Sequence, residues 1–477
     1  MAAARIAVAG TSGFIGAAVC ETLAQKYEVV ALTRSMARSG QEAPGDRVRL
    51  IPCDHYSRKE LEAALQGVAY AVYLVHNRDP SARLDQAATR DRDLLVADNF
   101  ARAAAKTGVQ QIVFRAQFLP VGRDHPVAES RRELEQVLAS HGVPVTVLRT
   151  NLVVAPGGEL ARLLVGMVER LPVILLPGSA QTGIRPISLA DLLGAVEHCA
   201  GNRETYGREY PIFGPDRMTF RAMIEETAAV LHRKPRLVTL RLLSDRLFAR
   251  ALSFLNPSLR LEFIEYLLGT MAFEIQEPED SAGLVAARPA APFREALLAS
   301  VRAESERAPT AAQPAQRRQD DQILRQDSRV RSIQRMALPA GQNAAWMADH
   351  YFAWLGTLLP PFLVTERDPQ GSWTAFARPG RIRILAMNFK PTHSSPDRVM
   401  YFITGGMLAK FLGGRTARLE FRDFLAGRFT LVAIHDFNPA LPWYFYRFTQ
   451  AVIHGLIMSL FQRHMAKLAA RRKPGVE

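Results

Sequence analysis

Short apolar runs alternate with amphipathic segments through the first 150 residues of the chain. The runs predict strands because they are brief and rich in Val, Ile and Ala, whereas the longer segments repeat apolar residues at helical spacing. This alternation predicts an α/β fold with a doubly wound parallel sheet of the Rossmann type and right-handed crossovers. The predicted strands are 5–9, 28–33, 71–75, 111–115 and 145–149, and the predicted helices are 14–26, 59–65, 91–106 and 129–140.

The alternation becomes looser after residue 150. The predicted helices there are 158–169, 189–199 and 219–231, and the predicted short strands are 171–176 and 209–213. Such a pattern is typical of a small capping lobe, which we expect from about residue 155 onward. The first domain is therefore predicted over residues 1–302.

Residues 303–329 are rich in Ala, Pro, Gln, Arg and Asp and show no apolar period. A segment of this composition buries too little apolar surface to fold alone, so we predict a solvated linker. The second domain is predicted over residues 330–477.

The second domain has a different pattern. One helix is predicted at 343–358 and a long final helix at 442–470, with β-like runs between them at 373–377, 381–389, 398–404, 417–421 and 429–437. This order predicts an α+β domain in which a helix packs against a curved antiparallel sheet. It is similar to helix-grip, START-like folds, a likeness that implies an apolar cavity.

The final helix carries an apolar stripe and a basic end. The stripe consists of Phe445, Phe448, Val452, Leu456, Leu460 and Met465, and the basic end of Arg463, Lys467, Arg471, Arg472 and Lys473. A basic amphipathic helix can lie in a membrane surface. The more usual interpretation is a stripe that faces the core, with a solvated C-terminus.

Composition narrows the class of protein. A chain of 477 residues with 48% apolar and 22% charged residues is expected to form two or three soluble domains. The three cysteines (Cys20, Cys53 and Cys199) are too far apart for a disulfide framework or a zinc site, so we expect no metal. No secretory or membrane-spanning segment is expected, which favours the cytoplasm, with peripheral contact to the inner membrane left open.

The formal net charge is +14. An excess of this size can indicate nucleic acid, anionic lipid or phosphate-bearing ligands. The arginines, however, are scattered through every segment rather than gathered into one stripe. No nucleic-acid partner is therefore expected.

A glycine-rich turn lies directly between the first predicted strand and the first predicted helix. Gly10 permits a tight turn, Gly13 lets the backbone approach a pyrophosphate, and Gly16 allows close packing of helix on strand. The N–H groups at the start of the helix then face the phosphates. The candidate cofactor-binding residues of this turn are Gly10, Thr11, Ser12, Gly13, Phe14, Ile15 and Gly16.

The ends of the next two strands bear on the choice of dinucleotide. Arg34 follows the second strand, where an acidic residue would bind the ribose 2′-hydroxyl of NAD and an arginine accommodates the 2′-phosphate of NADP. We therefore expect NADP rather than NAD. Asp54 follows a further strand between the predicted strands 28–33 and 71–75, and it is predicted either to accept from the adenine amino group or to cap the following helix.

Several segments resemble atypical, NmrA-like short-chain dehydrogenase/reductases. They are GTSGFIG (10–16), AVYLVH (71–76), NFARAAAKTGVQQIVF (99–114), HGVPVTVLRTNLVV (141–154), RLPVILLP (170–177), RPISLADLL (185–193) and FGPDRMTFRAMI (213–224). The chain is also similar to bacterial NAD(P)-binding proteins with an extra C-terminal domain of unknown function. A more remote likeness is to the 39-kilodalton accessory subunit of respiratory complex I. The resemblance implies further cofactor contacts from Val75, His76 and Arg131.

The resemblance also indicates where catalytic residues should lie. Standard members use a tyrosine as general acid/base, with a lysine four residues later that lowers the pKa of the tyrosine. The matching positions here hold Val127 and Arg131, so a proton donor is missing. His76 is a weak candidate to replace it, and Gln117 can only hydrogen-bond a carbonyl. For Arg149, Arg185 and Asp191, both cleft-lining and structural salt-bridge roles stay open.

These observations leave three functional hypotheses. The first is an NADP(H)-dependent oxidoreductase or epimerase-like enzyme acting on a quinone or a small hydrophobic carbonyl. The second is a non-catalytic dinucleotide-sensing or assembly protein, which the missing proton donor favours. The third is a carrier that holds a hydrophobic ligand in the C-terminal domain.

Overall fold

The computed structural model describes residues 3–34, 46–75, 82, 84–118, 126–178, 182–240, 244–255, 264, 267, 290–306, 329–409 and 417–471. The chain forms two compact units. The first comprises Met1–Val75 and Asn99–Pro314, and the second comprises His76–Asp98 and Ala315–Glu477.

The strands are β1 Arg5–Ala9, β2 Glu28–Thr33, β3 Val48–Pro52, β4 Tyr70–Tyr73, β5 Leu84–Ala87, β6 Gln111–Gln117, β7 Val145–Thr150, β8 Val153–Val154, β9 Val173–Pro177, β10 Ile187–Ser188, β11 Glu209–Pro211, β12 Arg236–Leu240, β13 Val330–Ala337, β14 Leu363–Arg367, β15 Trp373–Ala377, β16 Ile382–Phe389, β17 Arg398–Gly405, β18 Arg418–Phe424 and β19 Phe429–Phe437. The helices are α1 Phe14–Leu23, α2 Arg58–Ala64, α3 Thr89–Thr107, α4 Pro126–Ala139, α5 Glu159–Arg170, α6 Leu189–Cys199, α7 Phe220–Val230, α8 Asp245–Leu255, α9 Phe293–Glu306, α10 Ala344–Gly356, α11 Trp443–Phe448 and α12 Gln450–Arg471.

A seven-stranded parallel sheet forms the centre of the first unit. Its strand order is β11-β7-β6-β4-β1-β2-β3. The central strands are buried along almost their whole length, as strands covered by helices on both faces must be. The predicted doubly wound Rossmann fold is confirmed. One strand differs from prediction, because β11 joins this sheet beside β7 instead of belonging to a separate lobe.

A second apolar cluster in the same unit is formed mainly by residues that follow β7 in sequence. It joins α5, α7 and α9 through buried residues that include Leu163, Met167, Phe220, Ile224 and Leu297. The short parallel pair β9–β12 accompanies these helices. This cluster corresponds to the capping lobe that the looser sequence pattern predicts.

The second unit is built on an eight-stranded mixed sheet. Its order is β14-β15-β16-β17-β18-β19-β13-β5, antiparallel throughout except between β13 and β5. The helices α10 and α12 share one apolar core with a face of this sheet. The predicted α+β architecture of the C-terminal part is confirmed, although the sequence pattern missed β13 and β14.

A segment from the N-terminal part of the chain completes the second unit. β5 pairs with β13 in parallel, from Leu84 opposite Val330 to Ala87 opposite Ile333. The helix α3 continues without a break across the division of the chain between Asp98 and Asn99. The sequence analysis places all of this segment in the first domain. It misses β5 because the run Leu-Asp-Gln-Ala has no apolar alternation.

The predicted final helix is two helices, with a break at Thr449. The residues of α12 that face the core are Ala451, Met458, Phe461 and Met465. Of the predicted stripe only Met465 is buried, whereas Phe445, Phe448, Val452, Leu456 and Leu460 are exposed. The interpretation of this stripe as core-facing is therefore wrong. Among the described helices, none combines the length and apolarity needed to cross a bilayer.

Candidate cofactor site

The loop between β1 and α1 lies where the strand order of the first sheet reverses. β1 has β2 on one side and β4 on the other, which makes the carboxyl end of β1 the usual ligand site of an open parallel sheet. Gly10 has a φ of +97°, and a Cβ there would lie 2.8 Å from the carbonyl oxygen of Leu74. Only glycine permits the loop to turn this closely beside the end of β4.

Gly13 and Gly16 serve different purposes in the loop. A Cβ on Gly16 would lie 2.3 Å from the carbonyl oxygen of Gly10, so this position holds α1 against the turn. A Cβ on Gly13 would meet nothing within 4 Å among the described residues. The backbone at Gly13 is therefore accessible to a ligand, as the approach of a pyrophosphate requires.

The N-terminus of α1 is suited to an anion. Gly13 is its N-cap in extended conformation, without a side-chain cap among the described residues, and the first turn contains no acidic residue. The first amides of a helix have no partner within it and carry the positive end of the helix dipole. Thr11 is buried and donates from Oγ1 to the carbonyl of Leu32 at 2.9 Å, which fastens the loop to β2. Ser12 is exposed, and Phe14 and Ile15 are half-buried.

Arg34 directly follows β2 and is half-buried. Its charge acts on His55, whose ring is buried in the turn that follows β3. Burial, with the charge of Arg34 as the next cause, lowers the pKa of His55 to about 4. Neither ring nitrogen of His55 has a hydrogen-bond partner among the described residues. The sequence analysis did not identify His55, and no motif marks it.

Asp54 organises the turn after β3. Its Oδ1 accepts from the backbone N–H of Tyr56 at 3.1 Å, and its own N–H donates to Glu60 Oε2 at 2.9 Å. The N-cap of α2 is Ser57, whose Oγ accepts from the Glu60 N–H at 3.3 Å. Asp54 is therefore not the cap, and its contact with adenine stays a prediction.

The remaining predicted cofactor contacts are only partly described. Val75 is buried two residues after the end of β4, close to Gly10. Arg131 lies on α4 and donates from Nη1 to the carbonyl oxygen of Phe118 at 2.5 Å, just beyond the end of β6. His76, the weak catalytic candidate, lies outside the described residues, and so does the side chain of Val127.

Arg149 forms a structural salt bridge. It is buried and donates to both oxygens of Glu135, at 2.9 and 3.0 Å, to Glu209, and to the carbonyl of Gln117. Burial alone would lower the pKa of Arg149, but its bonds to Glu209 and Glu135 raise it. Arg149 therefore links β7 to α4 and β11, and these contacts occupy its guanidinium group.

Asp191 also has structural partners. It is buried at the start of α6, accepts from the Ser188 hydroxyl at 2.6 Å, and accepts from the backbone N–H of Ala291 at 2.9 Å. The guanidinium carbon of Arg185 lies 4.7 Å from the ring centroid of Phe213, a cation–π contact. Of the two roles left open for Asp191, the structure favours the structural one.

The open glycine turn at the reversal point of a parallel sheet defines a dinucleotide-binding Rossmann domain. Residues 10–154 match the family described as NAD(P)H-binding. This match supports binding of NAD(P) by the first unit, and it agrees with the resemblance stated from the sequence for this part of the chain.

Proteins that are similar to this chain include two curated relatives and a solved structure. The auxiliary protein GraX of Staphylococcus aureus is 27% identical over 151 residues, which are 31% of this chain and 44% of GraX. The (4-alkanoyl-5-oxo-2,5-dihydrofuran-3-yl)methyl phosphate reductase of Streptomyces griseus is 28% identical over 48% of this chain and 74% of its own. A nucleoside-diphosphate-sugar epimerase structure from Staphylococcus aureus has a TM-score of 0.50 at 15% identity, covering 62% of this chain and 99% of its own. That structure supports the fold alone.

Proposed function

We propose that the protein is an NADP(H)-dependent oxidoreductase whose preferred acceptor is a quinone, with small hydrophobic carbonyls as weaker substrates. The observation that carries this proposal is the glycine turn, which leaves the backbone at Gly13 open beside the uncapped start of α1. When bound there, the reduced dinucleotide would supply a hydride. One curated relative is named a reductase, which supports the same class of reaction.

The preference for NADP rests on Arg34. An arginine at the end of β2 can form a charge-assisted, bidentate contact with a 2′-phosphate, which NAD lacks. Arg34→Ala should weaken NADPH binding by roughly 1.5–3 kcal/mol and leave NADH binding almost unchanged. Calorimetric titration with both dinucleotides measures this.

The control for that titration is Arg49→Ala. Arg49 is an exposed arginine near the start of β3, at the opposite end of the strands, and its loss should alter neither affinity. Equal affinity of the wild type for NADPH and NADH would disprove the preference for NADP.

The preference for a quinone rests on proton supply. General acid–base catalysis typically contributes ~10²–10⁴-fold, and the valine at position 127 cannot donate a proton to an alkoxide. The Arg131 guanidinium, at the position of the usual lysine, is hydrogen-bonded to the carbonyl of Phe118. A hydroquinone anion is a far more stable product than an alkoxide, so it can leave the site and take its proton from water.

A panel of quinones, aldehydes and ketones assayed with NADPH tests the substrate class. We expect quinone turnover to exceed ketone turnover by at least ~10²-fold. Rapid ketone reduction that survives His76→Ala would contradict the proposal, because another residue would then have to donate the proton.

The second candidate is a non-catalytic dinucleotide sensor or assembly protein. The contact between Arg131 and Phe118 favours it, because it gives this arginine a structural task at the end of β6. Tight NADPH binding without turnover of any panel member would select this function. The third hypothesis, a carrier of a hydrophobic ligand, stays a prediction. The region where it places the ligand, between the sheet and the helices of the second unit, contains aromatic side chains that include Phe352, Tyr401, Phe421 and Phe461.

A further inference from the structure

We infer that the exposed apolar face of α11 and α12 docks on an anionic lipid bilayer. This face is formed by Tyr444, Phe445 and Phe448 on α11 and by Val452, Ile453, Leu456 and Leu460 on α12. The inference is independent of the proposed reaction, because it rests only on residues of the second unit.

The two faces of α12 are distinct. Val452, Leu456 and Leu460 follow one another at intervals of four residues, so they form one ridge along the helix. The core of the unit is contacted from the other side, by Met458, Phe461 and Met465. The core therefore does not need the exposed ridge.

The exposure of this face is large for apolar side chains. Phe448 is 67% exposed and Leu456 is 59% exposed. Single exposed apolar residues are common on soluble proteins, but seven within the seventeen residues 444–460 of α11 and α12 mark an interaction surface. The aromatic residues gather on α11, and one of them, Tyr444, has the amphipathic ring that favours the interfacial region of a bilayer.

The charge around the face identifies the partner. From Asn438 to Val476 the sequence contains no Asp or Glu. Arg447, Arg463, Lys467 and Arg471 are all exposed in this stretch. Cations beside an apolar helix face match the phosphates of anionic lipids, which lie directly above the acyl chains that the apolar side chains would enter.

A second copy of the chain fits this surface less well. Two such faces in contact would bring their cations together without a carboxylate between Asn438 and Val476 to pair with them. An interfacial helix, in contrast, keeps its cations at the lipid headgroups.

Flotation of the full-length protein with vesicles tests the inference. We expect binding to phosphatidylcholine vesicles that contain phosphatidylglycerol, and much weaker binding to phosphatidylcholine alone or in 1 M salt, which screens the headgroup charge. Arg463→Gln combined with Lys467→Gln should weaken binding to the anionic vesicles by roughly 10- to 30-fold.

A comparison of two leucine variants distinguishes docking of this face from non-specific adsorption through exposed apolar side chains. Leu456→Glu should reduce vesicle binding by at least about tenfold, because it places a carboxylate on the docking ridge. Leu247→Glu alters a leucine that is also 59% exposed but lies on α8 of the first unit, and it should bind as the wild type does. Circular dichroism should be unchanged in both.

Three outcomes would overturn the inference. They are failure of the wild type to float with anionic vesicles, equal loss of binding in the two glutamate variants, and a dimer that Leu456→Glu dissociates while flotation is unaffected. The last outcome would assign the face to a second copy of the chain, and sedimentation velocity detects it.

Discussion

At the scale of single residues, the three glycines of the β1–α1 loop illustrate three separate constraints. Gly10 is required by a positive φ beside Leu74, and Gly16 by the 2.3 Å approach to the Gly10 carbonyl. Gly13 has an ordinary φ and open space around it. Gly10 and Gly16 are therefore required by the fold, whereas Gly13 leaves the space in which we propose that the pyrophosphate binds.

Alanine substitutions should separate these roles. Gly13→Ala should leave the thermal unfolding midpoint unchanged and weaken NADPH binding at least about tenfold, because the added methyl group occupies the approach of the pyrophosphate. Gly16→Ala should lower both affinity and stability, because its Cβ would overlap the Gly10 carbonyl. Calorimetric titration and differential scanning calorimetry give both quantities, and full NADPH affinity in Gly13→Ala would contradict the assigned site.

His55 should make the first unit sensitive to acid. Burial and the charge of Arg34 lower its pKa to about 4, whereas an unfolded histidine titrates near 6.5. Between pH 6.5 and pH 4 the unfolded chain therefore binds a proton at this histidine, whereas the folded chain does not. The stability that is present above pH 6.5 is lost as the pH falls toward 4. The free energy of unfolding should decrease by roughly 1 kcal/mol per pH unit in this window from this group.

His55→Leu should remove that part of the pH dependence without loss at pH 7, since neither ring nitrogen has a partner among the described residues. Urea unfolding of the first unit at pH 7 and pH 5 measures the difference. His198→Leu, which removes an exposed histidine from α6, is the control. An identical slope in wild type and His55→Leu would show that the ring is not buried as described.

At the level of elements, one face of the second sheet carries several buried charged side chains. Arg422 of β18 is 1% exposed and donates to Asp98 of α3 at 2.5 Å and to Glu420 of its own strand. Glu420 also contacts Arg398 and His435. Burial by itself would raise the pKa of Glu420, but the charges of Arg398 and Arg422 hold that pKa well below the usual carboxyl range.

Glu420→Gln should therefore destabilise the second unit strongly. The substitution leaves two buried guanidinium groups without their shared counter-charge, a loss of roughly 3–5 kcal/mol. Glu366→Gln, which removes the exposed partner of Arg381, should cost at most about 1 kcal/mol. Chemical denaturation followed by near-ultraviolet circular dichroism measures both, and equal effects would contradict the buried network.

At the scale of the whole molecule, the two units are not consecutive in sequence. The second unit takes β5 and the first half of α3 from the N-terminal part of the chain. Arg335 of β13 pairs with Asp91 of that helix at 2.8 Å. The unit therefore needs residues on both sides of the predicted linker.

Limited proteolysis should cut first within residues 303–329, most of which lie outside the described residues, because their composition favours a solvated chain. The two fragments should nevertheless elute together from a sizing column, because β5 in the N-terminal fragment remains hydrogen-bonded to β13 in the C-terminal one. Separation of the fragments under native conditions would contradict the place of β5 in the second unit. A first cut elsewhere would disprove the predicted linker.

The Rossmann fold and the glycine turn could be predicted from the amino-acid sequence alone. The strands β1 and β2 and the helix α6 have the bounds expected from their patterns. These predictions are correct because the apolar period, the length of an apolar run and the glycines of a turn are all properties of neighbouring residues. The candidate pyrophosphate site follows from the same few residues at the end of β1.

The partners of individual side chains and strands depend on how the whole chain packs, so local sequence patterns could not predict them. The pairing of Arg149 with Glu135 and Glu209 joins residues far apart in sequence, and the short polar strand β5 is held by the backbone of β13 rather than by its own pattern. The stripe on α11 and α12 shows the same limit. An amphipathic period indicates that one face of a helix is apolar. Whether the core or another surface covers that face depends on how distant elements pack.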